Sequence, residues 1–99
     1  MKWIKFFNEF IKPNFPSNTV FRYSSYLNGD LGDLDRVEFE ISNKIGGIDF
    51  WSKGWVSMDV VKIDSSEDYD LLNILHSPDE KDEIQASFYL LVKIINDNP

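Results

Sequence analysis

The sequence predicts an α+β domain with an N-terminal helix, an antiparallel meander of about four strands, and two C-terminal helices packed on one face of the sheet. Residues 34–42 alternate apolar and charged side chains, a period of two that is typical of a strand with one buried face. Residues 65–96 change to apolar spacings of three and four, which indicate helices. The chain has 99 residues, the length of one domain, so residues 1–99 are expected to share a single core.

The N-terminal helix is predicted over residues 2–12. Its aromatic residues recur at spacings of three and four and define one apolar stripe. Pro13 ends the helix, because proline disfavours the helical conformation of the residue before it. We expect the stripe to pack on the core; a helix lying on a membrane surface is the alternative. The stripe comprises Trp3, Phe6, Phe7 and Phe10.

Four strands are predicted in segments rich in β-branched and aromatic residues. Turns that contain glycine separate them: "NGDLGD" after the first strand, "NKIGG" after the second, and "SKG" in a tight hairpin between the last two. Gly46 and Gly47 are accordingly predicted to close a loop. The strands cover residues 19–27, 34–42, 48–51 and 55–63.

The two tryptophans of the predicted hairpin are expected on the more polar face of the sheet. Alternation along the hairpin places its aliphatic residues in the core and leaves Trp51 and Trp55 on the opposite face. Asp49 and Asp59 share that face by the same alternation. Trp51 and Trp55 are therefore expected to be covered either by a helix or by a partner.

Two helices are predicted in the C-terminal third. The first, over residues 65–77, has an apolar stripe formed by Leu71, Leu72, Ile74 and Leu75. In the second helix Ser77 is the expected N-cap, Pro78 the first helical residue and Glu80 the acid of a capping box. The second helix is expected to run to about residue 96 and to bury Ile84, Phe88, Leu91 and Ile95.

Composition narrows the classes of function. The formal net charge is −7, with 17 acidic and 10 scattered basic residues, whereas nucleic-acid binding requires clusters of lysine and arginine. No stretch approaches the roughly 20 apolar residues of a membrane span. The chain has no cysteine, which excludes disulfides and thiolate chemistry. We therefore expect a cytoplasmic protein that binds neither nucleic acid nor membranes.

The sequence predicts no catalytic, cofactor-binding or metal-binding residue, and hence a protein that is not an enzyme. His76 is the single histidine, and its neighbour Ser77 is better explained as a helix cap than as a nucleophile. The segment "NGDLGDLD" has the rhythm of a calcium loop. Counted from Asn28, however, its sixth and twelfth positions hold Asp33 and Phe39 instead of glycine and glutamate.

A binding protein is the class that remains. Acidic side chains gather along the last predicted strand and into the following helix, where two aromatic residues flank them. Aromatic anchors and acids together suit a basic protein partner, because the aromatics supply affinity and the charges supply rate and register. A solvated acidic rim over buried aromatics explains the same pattern equally well. The candidate partner-binding residues are Trp51, Trp55, Asp59, Asp64, Glu67, Asp68, Tyr69 and Asp70.

The segments "GDLDRVEFEISNKIGGIDFWSKGWVSMDVV" and "NILHSPDEK" resemble small bacterial immunity proteins, of the kind found beside contact-dependent growth-inhibition and related polymorphic toxins. The resemblance implies a cytoplasmic, non-catalytic protein that binds the toxin domain of its own system. Such proteins often cover a basic nuclease active site, so a nuclease is the expected partner. The family has no invariant functional residue that can be assigned to a position here.

Two other interpretations remain open at this point. The chain could be an acidic protein-interaction module unrelated to toxins. It could also bind a small molecule or carbohydrate with Trp51 and Trp55 as a stacking platform. The expected turn and alternation make the platform the least favoured of these interpretations.

Overall fold

The structure is a computed structural model that describes residues 2–63 and 68–97. It confirms an α+β fold, and none of the described helices is long and apolar enough to cross a membrane. An N-terminal helical segment consists of α1 (Trp3–Phe6), a π-helical turn (Phe7–Ile11) and a 3₁₀ turn (Lys12–Asn14). The remaining elements are β1 (Val20–Gly29), β2 (Gly32–Ile41), β3 (Lys44–Trp51), β4 (Val56–Ile63), β5 (Asp68–His76) and α2 (Lys81–Asn96).

The strands form one antiparallel sheet in chain order, β1-β2-β3-β4-β5. The four predicted strands are present, but the prediction of about four strands is wrong because β5 adds a fifth. The predicted loop at Gly46 and Gly47 is also wrong, because β3 already begins at Lys44. The reversal instead occurs around Ser42, whose φ of 52° lies in the left-handed region that turns require.

The predicted helix over residues 65–77 is wrong, so one C-terminal helix is present instead of two. Asp68–His76 is strand β5, and residues 64–67 lie outside the described residues. A bulge explains the misleading pattern. Leu72 pairs with Val60 and Asp70 pairs with Val61, so Leu71 is an extra residue opposite β4. The bulge interrupts the alternation of apolar residues and produces the spacing of three and four that is typical of a helix.

The core lies between one face of the sheet and the two helical segments. The predicted core side of α2 is confirmed, since Ile84, Phe88, Leu91 and Ile95 are all buried. The ring centroid of Phe88 lies 5.9 Å from that of Trp3, 5.6 Å from Phe6, 6.3 Å from Phe7 and 6.2 Å from Phe50. Phe88 therefore joins α2, the N-terminal segment and the sheet.

The N-terminal stripe is only partly as expected. Phe7 is buried, but Phe10 is 58% exposed, so its predicted place in the core is wrong. The π-helical turn over Phe7–Ile11 is wider than an α-helical turn. It brings Phe7 and Ile11, four residues apart, onto the core and turns Phe10 towards solvent.

Side-chain hydrogen bonds hold the C-terminal end of α2 against β3 and against the N-terminal segment. Lys44 is buried, and its Nζ donates to the carbonyl oxygens of Ile94, at 2.9 Å, and of Asp97. A cation at this position satisfies carbonyl groups that the end of a helix leaves free. The Asn96 amide also donates to the Asn14 carbonyl, at 2.9 Å, and so joins the end of α2 to the N-terminal segment.

The start of α2 confirms one part of the predicted cap. The Glu80 carboxylate accepts hydrogen bonds from the backbone N–H of Ser77, at 3.0 Å, and from its hydroxyl, at 3.1 Å. The helix begins at Lys81 instead of Pro78, because the Glu80 backbone is not helical. Glu80 thus stabilises the turn that leads into the helix.

We expect this turn to lose stability in acid. The pKa of Glu80 is lowered by the Ser77 backbone N–H and then by hydrogen bonds from His76 and from the Ser77 hydroxyl. A carboxyl whose pKa is lower in the folded state stabilises the fold above its unfolded pKa of about 4.3, and this contribution disappears as the pH falls through the folded pKa. The difference in Tm between the wild type and Glu80→Gln should therefore shrink on acidification. Glu83→Gln, which removes a carboxylate from the first turn of α2 but none of the hydrogen bonds of Ser77, is the matched control. A Tm difference between the wild type and Glu80→Gln that stays constant with pH would contradict the assignment.

Candidate functional site

The face of the sheet opposite the helices is a candidate binding surface, and it is called the outer face below. The core cluster includes none of its residues, and several of its apolar side chains are exposed, with Leu75 at 55%. In the described part of the chain, the N-terminal helical segment and α2 both pack on the opposite face of the sheet, where they contribute to the core. From the strand register, the outer face carries Val20, Arg22, Ser24, Tyr26, Leu34, Arg36, Glu38, Glu40, Ile45, Gly47, Asp49, Trp51, Ser57, Asp59, Val61, Asp70, Asn73 and Leu75.

A network of charges around Arg36 occupies the centre of the outer face. Arg36 Nη1 lies 2.8 Å from Asp49 Oδ1, and the Ser57 hydroxyl donates to the other oxygen of Asp49, also at 2.8 Å. Arg36 Nε lies 3.5 Å from Glu38, and Nη2 lies 3.9 Å from Asp59. One guanidinium is thus shared by three carboxylates, and the network keeps a net negative charge.

Gly47 allows this network to lie flat on the sheet. A Cβ atom at Gly47 would clash with the Arg36 guanidinium, so any side chain there would displace that group. A depression of about 350 Å³ opens beside it, with Arg36, Glu38 and Asp59 among its lining residues. The glycine that the sequence favoured as a turn residue is therefore a strand residue that makes room for a polar cluster.

The electrostatics of the network leave one carboxylate poorly compensated. Burial opposes the charged form of Arg36, but the hydrogen bond and attraction of Asp49 prevail, so the pKa of Arg36 is raised. Burial raises the pKa of Asp59, and Arg36 offsets this only in part, because the carboxylates of Asp49, Asp70 and Glu38 add repulsion. Asp59 is therefore a carboxylate that an additional cation would stabilise.

Asp59→Asn should leave the fold as stable as the wild type or slightly more stable at pH 7. A carboxyl whose pKa is raised in the folded state stabilises the fold only below its unfolded pKa, and that contribution is lost as the pH rises through the folded pKa. Since the Asp59 side chain is 41% exposed, we expect a gain of at most a few tenths of a kcal/mol. Urea unfolding at pH 7 measures it. Asp49→Asn is the comparison: Asp49 directly pairs with Arg36, so its loss should destabilise, and the same sign for both variants would contradict this account.

The predicted binding residues do not form one cluster. Trp51 and Trp55 lie where β3 ends and β4 begins, whereas Asp68 pairs with Ile63 at the other end of β4. At about 3.4 Å per residue, the length of β4 separates the two groups by roughly 24 Å. Tyr69 pairs with Lys62 and lies towards the side that carries the helices, while Asp64 and Glu67 lie outside the described residues.

The structure does bring Asp59 and Asp70 together on the outer face, close enough for their charges to interact. Sequence reasoning missed their neighbours Arg36, Glu38 and Asp49. The alternation of residues 34–42 did predict Arg36 and Glu38 on the solvent-exposed face. What was missing was the register of β2 against β3, which puts Arg36 directly opposite Asp49.

His76 connects a serine and a glutamate in a geometry that resembles a hydrolytic triad. Its Nε2 lies 3.0 Å from the Ser87 hydroxyl and its Nδ1 lies 3.2 Å from Glu80. Ser87 lies inside α2, where backbone N–H groups are used by the helix and cannot form an oxyanion hole. The three residues are better explained as a link between the end of β5 and α2. In the described part of the chain, no group of three histidine, aspartate or glutamate side chains could hold a metal ion.

Comparison of the chain with protein-family models, with curated proteins and with solved structures finds no match in any of the three.

Proposed function

We propose that this chain is a binding protein that docks a basic protein domain on its outer face and neutralises it by stoichiometric binding. The observation that carries the proposal is the exposed sheet face with the Arg36 network at its centre. Among the described residues of this face, two arginines, Arg22 and Arg36, are outnumbered by five carboxylates: Glu38, Glu40, Asp49, Asp59 and Asp70.

The physical properties of the outer face support a protein partner. Its negative field would steer a basic surface towards it and raise the association rate, most strongly at low salt. Exposed aliphatic side chains beside the network, such as Ile45 and Leu75, supply the apolar area that stable interfaces need. Because Arg36 and Asp49 already hold each other in place, little side-chain conformational entropy is lost there on binding.

The partner is proposed to be a toxin domain with a basic nuclease active site, and the binding to take place in the cytoplasm. Nuclease active sites are basic because they hold the phosphates of nucleic acid. A sheet face rich in carboxylates competes for the same cationic groups. The resemblance to bacterial immunity proteins points to the same partner and supplies its identity as a toxin.

Co-expression tests the proposal. The partner to use is the C-terminal domain of a toxin encoded immediately upstream, expressed with and without this chain. We expect the chain to restore growth and to co-purify with the domain in a complex of equal stoichiometry. If the domain is toxic but the chain neither restores growth nor co-purifies, the proposed function is wrong. Co-purification without any effect on toxicity would favour the alternative, an interaction module unrelated to neutralisation.

A further inference from the structure

A cleft at one end of the sheet is lined by all three tryptophans of the chain. Trp3 comes from α1, Trp51 from the end of β3 and Trp55 from the turn before β4. The cleft has a volume of about 320 Å³ and lies beside the ends of β2 and β3. This volume is at the lower end of the range for small-ligand sites, about 300 to 1,000 Å³, and suits a single long side chain.

Two aspartates, Asp33 and Asp35, also belong to the lining of the cleft. Asp35 Oδ1 accepts a hydrogen bond from the Ser25 hydroxyl at 2.7 Å, and Asp33 Oδ1 accepts one from the Asn28 backbone N–H at 3.1 Å. Both carboxylates are thus held in place through one oxygen. From the residues that the structure describes, neither receives a hydrogen bond at Oδ2.

We propose that this cleft binds the guanidinium group of an arginine side chain presented by the partner. A guanidinium is planar and stacks on indole rings, and its five N–H donors can serve two carboxylates at once. An ammonium group supplies the charge without the planar stacking. Lys2 also lines the cleft and opposes a second cation, so the affinity for a free arginine derivative should be modest. The inference rests on the proposed function for the source of the arginine, but the binding itself is a property of this chain alone.

The isolated chain provides the direct test. The probe is N-acetyl-arginine amide, and N-acetyl-citrulline amide is its neutral isostere. Since every tryptophan lines the cleft, the indole N–H signals in NMR report on its occupancy. We expect all three signals to shift on titration with the arginine probe, with a Kd in the millimolar range, about 1 to 30 mM. The citrulline probe should bind at least tenfold more weakly than the arginine probe. Equal responses to the two probes, or no shifts at about 100 mM arginine probe, would overturn the inference.

Matched variants locate the site. Asp35→Asn keeps an acceptor for Ser25 but removes the charge, so we expect it to weaken binding of the arginine probe at least fivefold. Asp30→Asn is the control, since Asp30 belongs to the same turn region but not to the cleft lining. Lys2→Ala should strengthen binding. An N-acetyl-lysine amide probe that binds as tightly as the arginine probe would show that the cleft selects charge alone and would contradict the assignment to guanidinium.

The two proposals fail in different ways. If the chain neutralises its toxin but does not bind the arginine probe, the cleft inference is wrong and the proposed function stands. If the probe binds but the toxin is neither captured nor neutralised, the proposed function is wrong and the cleft is a cation site without that partner. When both hold, Asp35→Asn should weaken the toxin complex, whereas Asp30→Asn should not.

Discussion

Replacing Phe88 with alanine is expected to lower the free energy of unfolding by about 3 to 5 kcal/mol. Phe88 is fully buried, and its ring lies against aromatic rings from the N-terminal segment and from β3. A cavity at this point would remove aromatic contacts through which α2 packs on the N-terminal segment and on β3. Because small domains have total stabilities of about 5 to 15 kcal/mol, the variant should be close to unfolding at room temperature. Urea denaturation followed by tryptophan fluorescence measures the loss.

Phe10→Ala is the matched control for this prediction. Phe10 belongs to the same aromatic stripe in the sequence, and its ring centroid lies 5.4 Å from that of Phe6, yet the residue is 58% exposed. Its truncation should cost less than about 1 kcal/mol. Equal losses in the two variants would mean that the π-helical turn does not separate a buried position from an exposed one.

Charge reversal on the outer face should have the largest effect on partner binding. We expect the combined change of Glu40, Asp59 and Asp70 to lysine to slow association at least tenfold and to weaken the Kd about 100-fold, which is about 2.7 kcal/mol. The physical reason is that the attraction for a basic surface becomes repulsion at the point of contact. Surface plasmon resonance at several salt concentrations measures both quantities.

A second triple variant separates the outer face from the net charge of the protein. Changing Asp79, Asp82 and Glu83 to lysine alters the net charge equally but at the start of α2, away from the outer face. This control should change the association rate only slightly, and its difference from the wild type should diminish as the salt concentration rises. Thermal unfolding of both variants checks that they remain folded. If the two sets weaken binding equally, the outer face is not the docking surface.

The elements that could be predicted from the sequence are those whose pattern of apolar residues arises within the element itself. The alternation in residues 34–42 and the apolar spacing of α2 each arise within one element, so both could be recognised without knowledge of the fold. β5 could not, because its pattern is broken at Leu71 by a bulge whose cause is pairing with β4. The tendency of a leucine-rich segment to form a helix was overridden by this tertiary pairing.

The candidate site depends even more on pairing between strands. Arg36 and Asp49 are thirteen residues apart in the sequence, and only the register of β2 and β3 makes them neighbours. Likewise, the tryptophan cleft requires α1 to pack beside the end of the sheet, which no period in the sequence reveals. Composition predicted an acidic binding surface, but it could not say which of the acids share a face.

The order of the strands has a consequence for synthesis. Each strand pairs with its neighbour in sequence, so the sheet can form hairpin by hairpin as the chain leaves the ribosome. Its apolar side, including Ile48, Met58 and Val60, stays open until α2 has emerged and its end has joined the N-terminal segment. During that interval the nascent sheet is prone to aggregate through the side that will become the core. The carboxylates on the outer face give neighbouring nascent chains a mutual repulsion, so the surface proposed for the partner also protects the protein before it is complete.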